Sequence, residues 1–76
     1  MKLKDFLSLI IDEDVRIELE LDIEEEDEYL YTSFWLSDYR KGISAAKRYE
    51  DWEVESISFG YVIDSAAKMT IQIKEK

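Results

Sequence analysis

Cysteine and histidine are both absent from these 76 residues, and glycine occurs only twice. Without cysteine, neither a disulfide framework nor a thiolate metal site can supplement a small core, so packing alone has to hold the chain. Without histidine, the chain lacks the usual general base and the commonest transition-metal ligand. It also lacks the only side chain that titrates near neutrality unperturbed, so most enzyme classes are excluded together. Ser37, Asp38 and Lys41 are the closest approach to a nucleophile, yet no histidine, Gly-rich loop or oxyanion motif accompanies them. No enzyme activity, no metal ligand and no cofactor are expected. Long apolar runs are missing too. The opening "MKLKDFLSLIIDED" has an early Asp5, is interrupted by Ser8 and runs into three acids. It reads as neither a secretory signal nor a membrane span, and an intracellular, reducing environment is the expectation.

What is present describes a folded globule. Hydrophobic residues make up 46% of the chain and ten residues are aromatic, too apolar for a disordered acidic segment even with 38% charged residues. The length suits one domain over residues 1–76 and one modest core, burying roughly 60% of the unfolded chain's surface.

Periodicity gives the order of elements. In "LKDFLSLII" the apolar residues Leu3, Phe6, Leu7, Ile10 and Ile11 recur at spacings of three and four, which predicts an amphipathic helix of two to three turns. The acids at 12 to 14 suit a helix carboxyl terminus badly and should form a turn. From Val15 the period becomes two. Val15, Ile17, Leu19, Leu21 and Ile23 face one way, and Arg16, Glu18, Glu20 and Asp22 face the other. "EEEDE" connects this strand to "YLYTSFWL", whose aromatic and β-branched residues suit a strand, so an antiparallel hairpin is expected. The stretch from Ser37 to Asp51 reads as a helix or two turns. Ser37 and Asp38 are its cap candidates, Ile43, Ala46 and Tyr49 lie at spacing three, and Gly42 is an interruption. In "WEVESISFGYVI" the apolar phase slips between Val54 and Ile57, which calls for a bulge. "DSAAK" is a turn, and "MTIQIK" puts Met69, Ile71 and Ile73 on one face of a last strand. The expected fold is α+β: a small two-layer domain of order αββαββ, with an antiparallel four-stranded sheet and one or two helices on one face.

The charge is unevenly placed. Of the nineteen acids, eleven lie between residues 12 and 28, against a single base, Arg16, a net of minus ten; the remainder of the chain is plus one. They are Asp12, Glu13, Asp14, Glu18, Glu20, Asp22, Glu24, Glu25, Glu26, Asp27 and Glu28. Solubility alone does not need that concentration, and like charges on one strand face repel. Alternate strand residues lie about 6.6 to 6.8 Å apart, so Glu18, Glu20 and Asp22 make a regular row that the acidic turn continues. Duplex DNA also carries rows of evenly spaced negative charge. A protein with such a row can occupy a Lys/Arg-lined channel built for nucleic acid, and cannot itself bind nucleic acid well. The ordinary reading of a charge run, a solvated face, stands beside this one. A calcium site in "DIEEEDE" is a third reading, and it lacks the turn glycine and helical flanks of an EF-hand.

Trp35, Trp52, Tyr29, Tyr31, Phe34 and Phe59 are read as core and hairpin packing. In "YLYTSFWL", however, both faces are apolar: Tyr29, Tyr31 and Trp35 with Ser33 on one, Leu30, Phe34 and Leu36 on the other. Only one of these can be core beneath a sheet covered on one side, so the face with Tyr31 and Trp35 is a candidate binding patch. Arg40, Lys41, Lys47 and Arg48 read as a solvated helix face balancing the acids.

The opening "MKLKDFLSLIIDEDVRIEL", the late strand "WEVESISF" and the terminal "MTIQIK" resemble, in layout, small acidic proteins encoded by phages and prophages of Gram-positive bacteria. Some small acidic phage proteins of that kind are anti-CRISPR inhibitors that block DNA-binding or nuclease sites. The resemblance implies a DNA mimic in the host bacterial cytoplasm, inhibiting a nucleic-acid-binding protein such as a Cas nuclease through protein–protein interaction. The implied binding residues are Glu18, Glu20, Asp22, Glu24, Glu25, Glu26, Asp27 and Glu28, with Tyr31 and Trp35 as aromatic neighbours. The competing expectation is a phage accessory or interaction module, or the acidic partner of a basic protein, whose acids serve solubility only. No membrane and no direct nucleic-acid contact is expected, and the oligomeric state is not readable.

Overall fold

The alternation that begins at Val15 produces strand β1, Val15–Asp22, buried at every odd position. The structure is a computed structural model that describes residues 1–11, 15–23, 30–61 and 67–75. Its other elements are helix α1 (Leu3–Leu7), strand β2 (Leu30–Trp35), helix α2 (Leu36–Arg40), a 3-10 helix (Ala45–Tyr49), strand β3 (Glu53–Tyr61) and strand β4 (Ala67–Lys74). The αββαββ order and the two-layer α+β arrangement are therefore present, with the second helical region split in two.

The four strands form one sheet in the order β2-β1-β4-β3. β1 pairs antiparallel with β2, Ile17 opposite Phe34 and Glu20 opposite Tyr31, and β3 pairs antiparallel with β4. The central pair, β1 with β4, is parallel, so the sheet is mixed rather than antiparallel throughout. The reason lies in the connection between the hairpins. β2 and β3 are opposite edges, and residues 36–52 return along the length of the sheet while crossing it, so β3 starts at the end where β2 started. Parallel pairing of this kind needs a crossover rather than a tight turn. The expected bulge is observed, as a register shift between Val54 and Ser56.

The parallel register sets Val15, Ile17, Leu19 and Leu21 beside Ala67, Met69, Ile71 and Ile73. Ile17, Leu19, Ile71 and Ile73 are completely buried, and Leu3, Leu7, Leu36, Tyr39 and Ala46 close over them from the helical layer. α1 is shorter than its apolar stripe: Phe6 and Ile10 pack on the core's margin, whereas Ile11 is 95% exposed. It is tied to the start of β3 by backbone bonds, with Leu3 N donating to Trp52 O and Lys4 N to Glu50 O, both at 2.8 Å.

α2 ends at Gly42, whose φ of 78° lies in the left-handed region that glycine adopts without a side-chain clash. The amide of Gly42 donates to Tyr39 O and that of Ile43 to Asp38 O, the pair of bonds that defines a Schellman cap. The chain restarts at Ser44, whose Oγ accepts from the Ala46 amide. Ser37 and Asp38 thus lie inside α2 rather than capping it, and Ile43, read as an apolar stripe position, is exposed. No helix among the described residues is long and apolar enough to cross a membrane.

Tyr39 joins the two helical pieces. Its ring packs 6.0 Å from Phe34, centroid to centroid, and its hydroxyl donates to Glu50 Oε2 at 2.9 Å. Burial first, and then the bond to the Glu50 carboxylate, push its pKa up to about 12. In the unfolded chain the phenol ionises near its ordinary 10.0, so the unfolded state loses its proton first and stability falls with rising pH between about 10 and about 12. Tyr39→Phe should weaken the fold by about 1 kcal/mol at neutral pH and reduce that alkaline loss, read by urea denaturation at pH values on both sides of the window. Leu19→Ala should cost about 2–5 kcal/mol, whereas Ile11→Ala should change stability by less than about 0.5 kcal/mol, both from shifts in urea midpoint.

Candidate functional site

Because the odd residues of β1 point into the core, its even residues point away from it, onto a sheet face that no described helix covers. Register fixes their neighbours. Arg16 lies between Trp35 and Lys68, Glu18 between Ser33 and Thr70, Glu20 between Tyr31 and Gln72, and Asp22 beside Lys74. The open face therefore has aromatic residues on its β2 side, carboxylates along β1 and lysines on its β4 side.

The row is graded from end to end. At its start, the Arg16 guanidinium lies 5.2 Å from the centroid of the Trp35 ring and donates to Ser33 Oγ at 2.9 Å. This is a cation–π contact that fixes the arginine over the indole. Next to it, the Lys68 ammonium pairs with Glu18 Oε2 at 2.9 Å. Glu18 is thus already partnered by its own sheet. Glu20 and Asp22 follow, half-buried, at the end of β1 that leads towards the five-carboxylate run. Tyr31, 62% exposed, stands opposite Glu20, and Trp35 is 37% exposed.

Of the residues singled out in the sequence, Glu18, Glu20, Asp22, Tyr31 and Trp35 come together on this one face. Glu24, Glu25, Glu26, Asp27 and Glu28 lie outside the described residues, as does most of the calcium reading of "DIEEEDE". Phe59 departs from its expected place in the core: it is 78% exposed, on the edge strand β3. Among the described residues no group of three or more acidic side chains is arranged to hold a metal ion.

Lys68 is the functional neighbour that the sequence did not disclose. Fifty residues separate it from Glu18, and only the parallel β1–β4 register brings them together. The basic helical group is also more engaged than a plain solvated face. The Arg40 guanidinium donates to Ile10 O, and Lys47 lies 4.9 Å from the centroid of the Tyr39 ring and 3.6 Å from Glu50.

Comparison with protein-family models, with curated proteins and with solved structures finds no match to this chain. Since Glu18 and Lys68 are both partly solvated, their pair should contribute little to the fold. A double-mutant cycle with Glu18→Gln and Lys68→Met, read by urea denaturation, should give a coupling below about 1 kcal/mol.

Proposed function

We propose that this chain is a non-catalytic inhibitor whose open β1–β2 face occupies the basic surface of a nucleic-acid-binding protein. The observation that carries the reading is the placement of Glu20 and Asp22 in register on an uncovered sheet face, with Tyr31 and Trp35 on the adjoining strand. Strand spacing sets their charges about 6.7 Å apart, a regular negative row of the kind a DNA backbone also presents. A lysine or arginine placed to meet phosphates meets these carboxylates instead. The aromatic side chains supply the apolar contact that charge alone lacks, since desolvated aromatic anchors carry much of the energy of protein interfaces. The sequence's resemblance in layout to small acidic phage proteins suggests a CRISPR nuclease as the target class to try first, because such enzymes hold nucleic acid in positively charged channels.

The internal pairing ranks the residues. Glu18 must give up Lys68 to meet a partner's cation, so Glu20 and Asp22 carry more of the contact. An interaction module that binds through Tyr31 and Trp35, with solvating acids only, uses the same face and is favoured by the exposure of those two rings. The two readings separate by where substitution hurts.

The test is capture of nucleic-acid-binding proteins from a bacterial host extract at low and at moderate salt. Wild type is compared with Glu20→Lys/Asp22→Lys and with Tyr31→Ala, with duplex DNA as competitor. The inhibitor reading expects a captured DNA-binding protein that duplex DNA displaces, and a loss of at least about tenfold in the acid-reversed variant, or about 1.4 kcal/mol. Capture should also weaken with salt, because steering by exposed charge is screened over about 8–10 Å. Capture untouched by acid reversal but lost in Tyr31→Ala establishes the module reading in its place.

A further inference from the structure

The outer edge of the sheet is strand β3, two strands away from the acidic row. β3 is nine residues long and at the sheet's margin, without proline or lysine, and its edge-protecting features, the bulge and the charges of Glu53 and Glu55, are confined to its first residues. Its first residues are already paired on their outer side. Lys2 forms an antiparallel bridge with Glu53, and the Val54 amide donates to Met1 O at 2.8 Å. The amino terminus thus acts as a two-residue fifth strand and leaves the edge from Glu55 to Tyr61 without a backbone partner among the described residues.

Side chains along that segment lose their cover progressively. Val54, Ile57 and Phe59 stand beside Ile73, Ile71 and Met69 and so point to the same, helix-bearing face of the sheet. Val54 packs on the core, Ile57 is 39% exposed and Phe59 is 78% exposed. The backbone bonds of α1 reach Glu50 and Trp52, at the strand's beginning, and among the described residues the apolar row is increasingly bare from Ile57 to Phe59.

We infer that a second copy of this chain pairs with that edge, β3 against β3 in antiparallel register about Ser58, to make one continuous eight-stranded sheet. The free segment is self-complementary in this register and in no register needs a like charge opposite a like charge at its centre, because residues 56–61, "SISFGY", carry no charge. Centred on Ser58, Ile57 of each copy lies opposite Phe59 of the other on the apolar side, an aromatic against a β-branched residue. On the open side Ser56 meets Gly60 and Ser58 meets Ser58, all small. Glu55 lies opposite Tyr61 rather than another acid. The net charge of minus nine does not forbid the contact, since the acids concentrate around β1, two strands inward. The β1 strands of the two copies would be five strand spacings, about 24 Å, apart, beyond the screening length of about 8 Å at physiological salt.

The chain has no cysteine of its own, so one introduced thiol reports the contact cleanly. Four proteins spanning residues 1–76 are compared: wild type, Phe59→Lys, Ser58→Cys, and Ser33→Cys as a control on the other edge strand. Sedimentation equilibrium over about 10 μM to 1 mM covers the affinities of a contact at the small end of specific interfaces. The expected result is a wild-type mass that rises towards the dimer. Phe59→Lys, with an unchanged circular dichroism spectrum, should weaken dimerisation at least tenfold, and under mild oxidation Ser58→Cys should link into dimers well ahead of Ser33→Cys. A wild type that stays monomeric throughout overturns the inference. So does a dimer indifferent to Phe59→Lys, or equal linking of the two cysteine variants. Should Phe59→Lys fail to fold, the cysteine comparison decides alone.

Discussion

The parallel pairing of β1 with β4 is the contact on which the rest of the molecule depends. It places the two strands with regular apolar alternation side by side at the centre of the sheet, so that Ile17, Leu19, Ile71 and Ile73 are all fully buried. Full burial of such a side chain is worth about 1.5–3 kcal/mol, and no other group of described residues contributes as many at once. Every other element is arranged about this pair. α1, α2 and the 3-10 helix close over its apolar side, β2 and β3 extend it to either edge, and the crossover of residues 36–52 exists because the two strands run in the same direction.

The same pairing explains how a strand tolerates three acids in a row. Glu18, Glu20 and Asp22 repel one another, yet charges about 6.7 Å apart in water interact by only about 0.6 kcal/mol. That is small beside the burial of Val15, Ile17, Leu19 and Leu21 that the same eight residues provide. The parallel register then lowers the repulsion further by setting Lys68 against Glu18 and Lys74 beside Asp22. The strand is held by its odd residues, which leaves the even residues free to be chosen for something other than stability.

Much of this is legible in the residues themselves. Strict period-two alternation identified β1 and its open face, the slipped phase of "WEVESISF" located the bulge, and the double apolar character of "YLYTSFWL" marked Tyr31 and Trp35 as candidates for an exposed patch. What was not legible depends on partners distant in sequence. Strand direction between hairpins is decided by the path of a crossover and not by periodicity, so the parallel central pair and the Lys68–Glu18 contact had no local signal. Helix length was overestimated at α1 because Ile11 continues an apolar stripe after the backbone has left the helix. Phe59 reads as core and hairpin packing from its aromatic type, and no local signal shows that the backbone bonds of α1 reach β3 at the strand's beginning, far from Phe59.

Charge and apolar surface are separated across the width of the sheet, and this separation makes the proposed acidic contact and the proposed β3 pairing compatible. The carboxylates belong to β1 and its connection to β2, whereas the bare apolar edge belongs to β3, with β4 between them. Antiparallel pairing of two β3 edges within one sheet has its two-fold axis perpendicular to that sheet, so both open faces point to the same side. Such a dimer presents two acidic rows about 24 Å apart, five strand spacings, against a single basic surface. The second row then binds at the effective concentration set by a rigid sheet rather than from free solution, which can raise the overall affinity without any new contact. On the proposed function and the proposed pairing, symmetry would let Glu20 and Asp22 of two copies act together over the length of an extended groove.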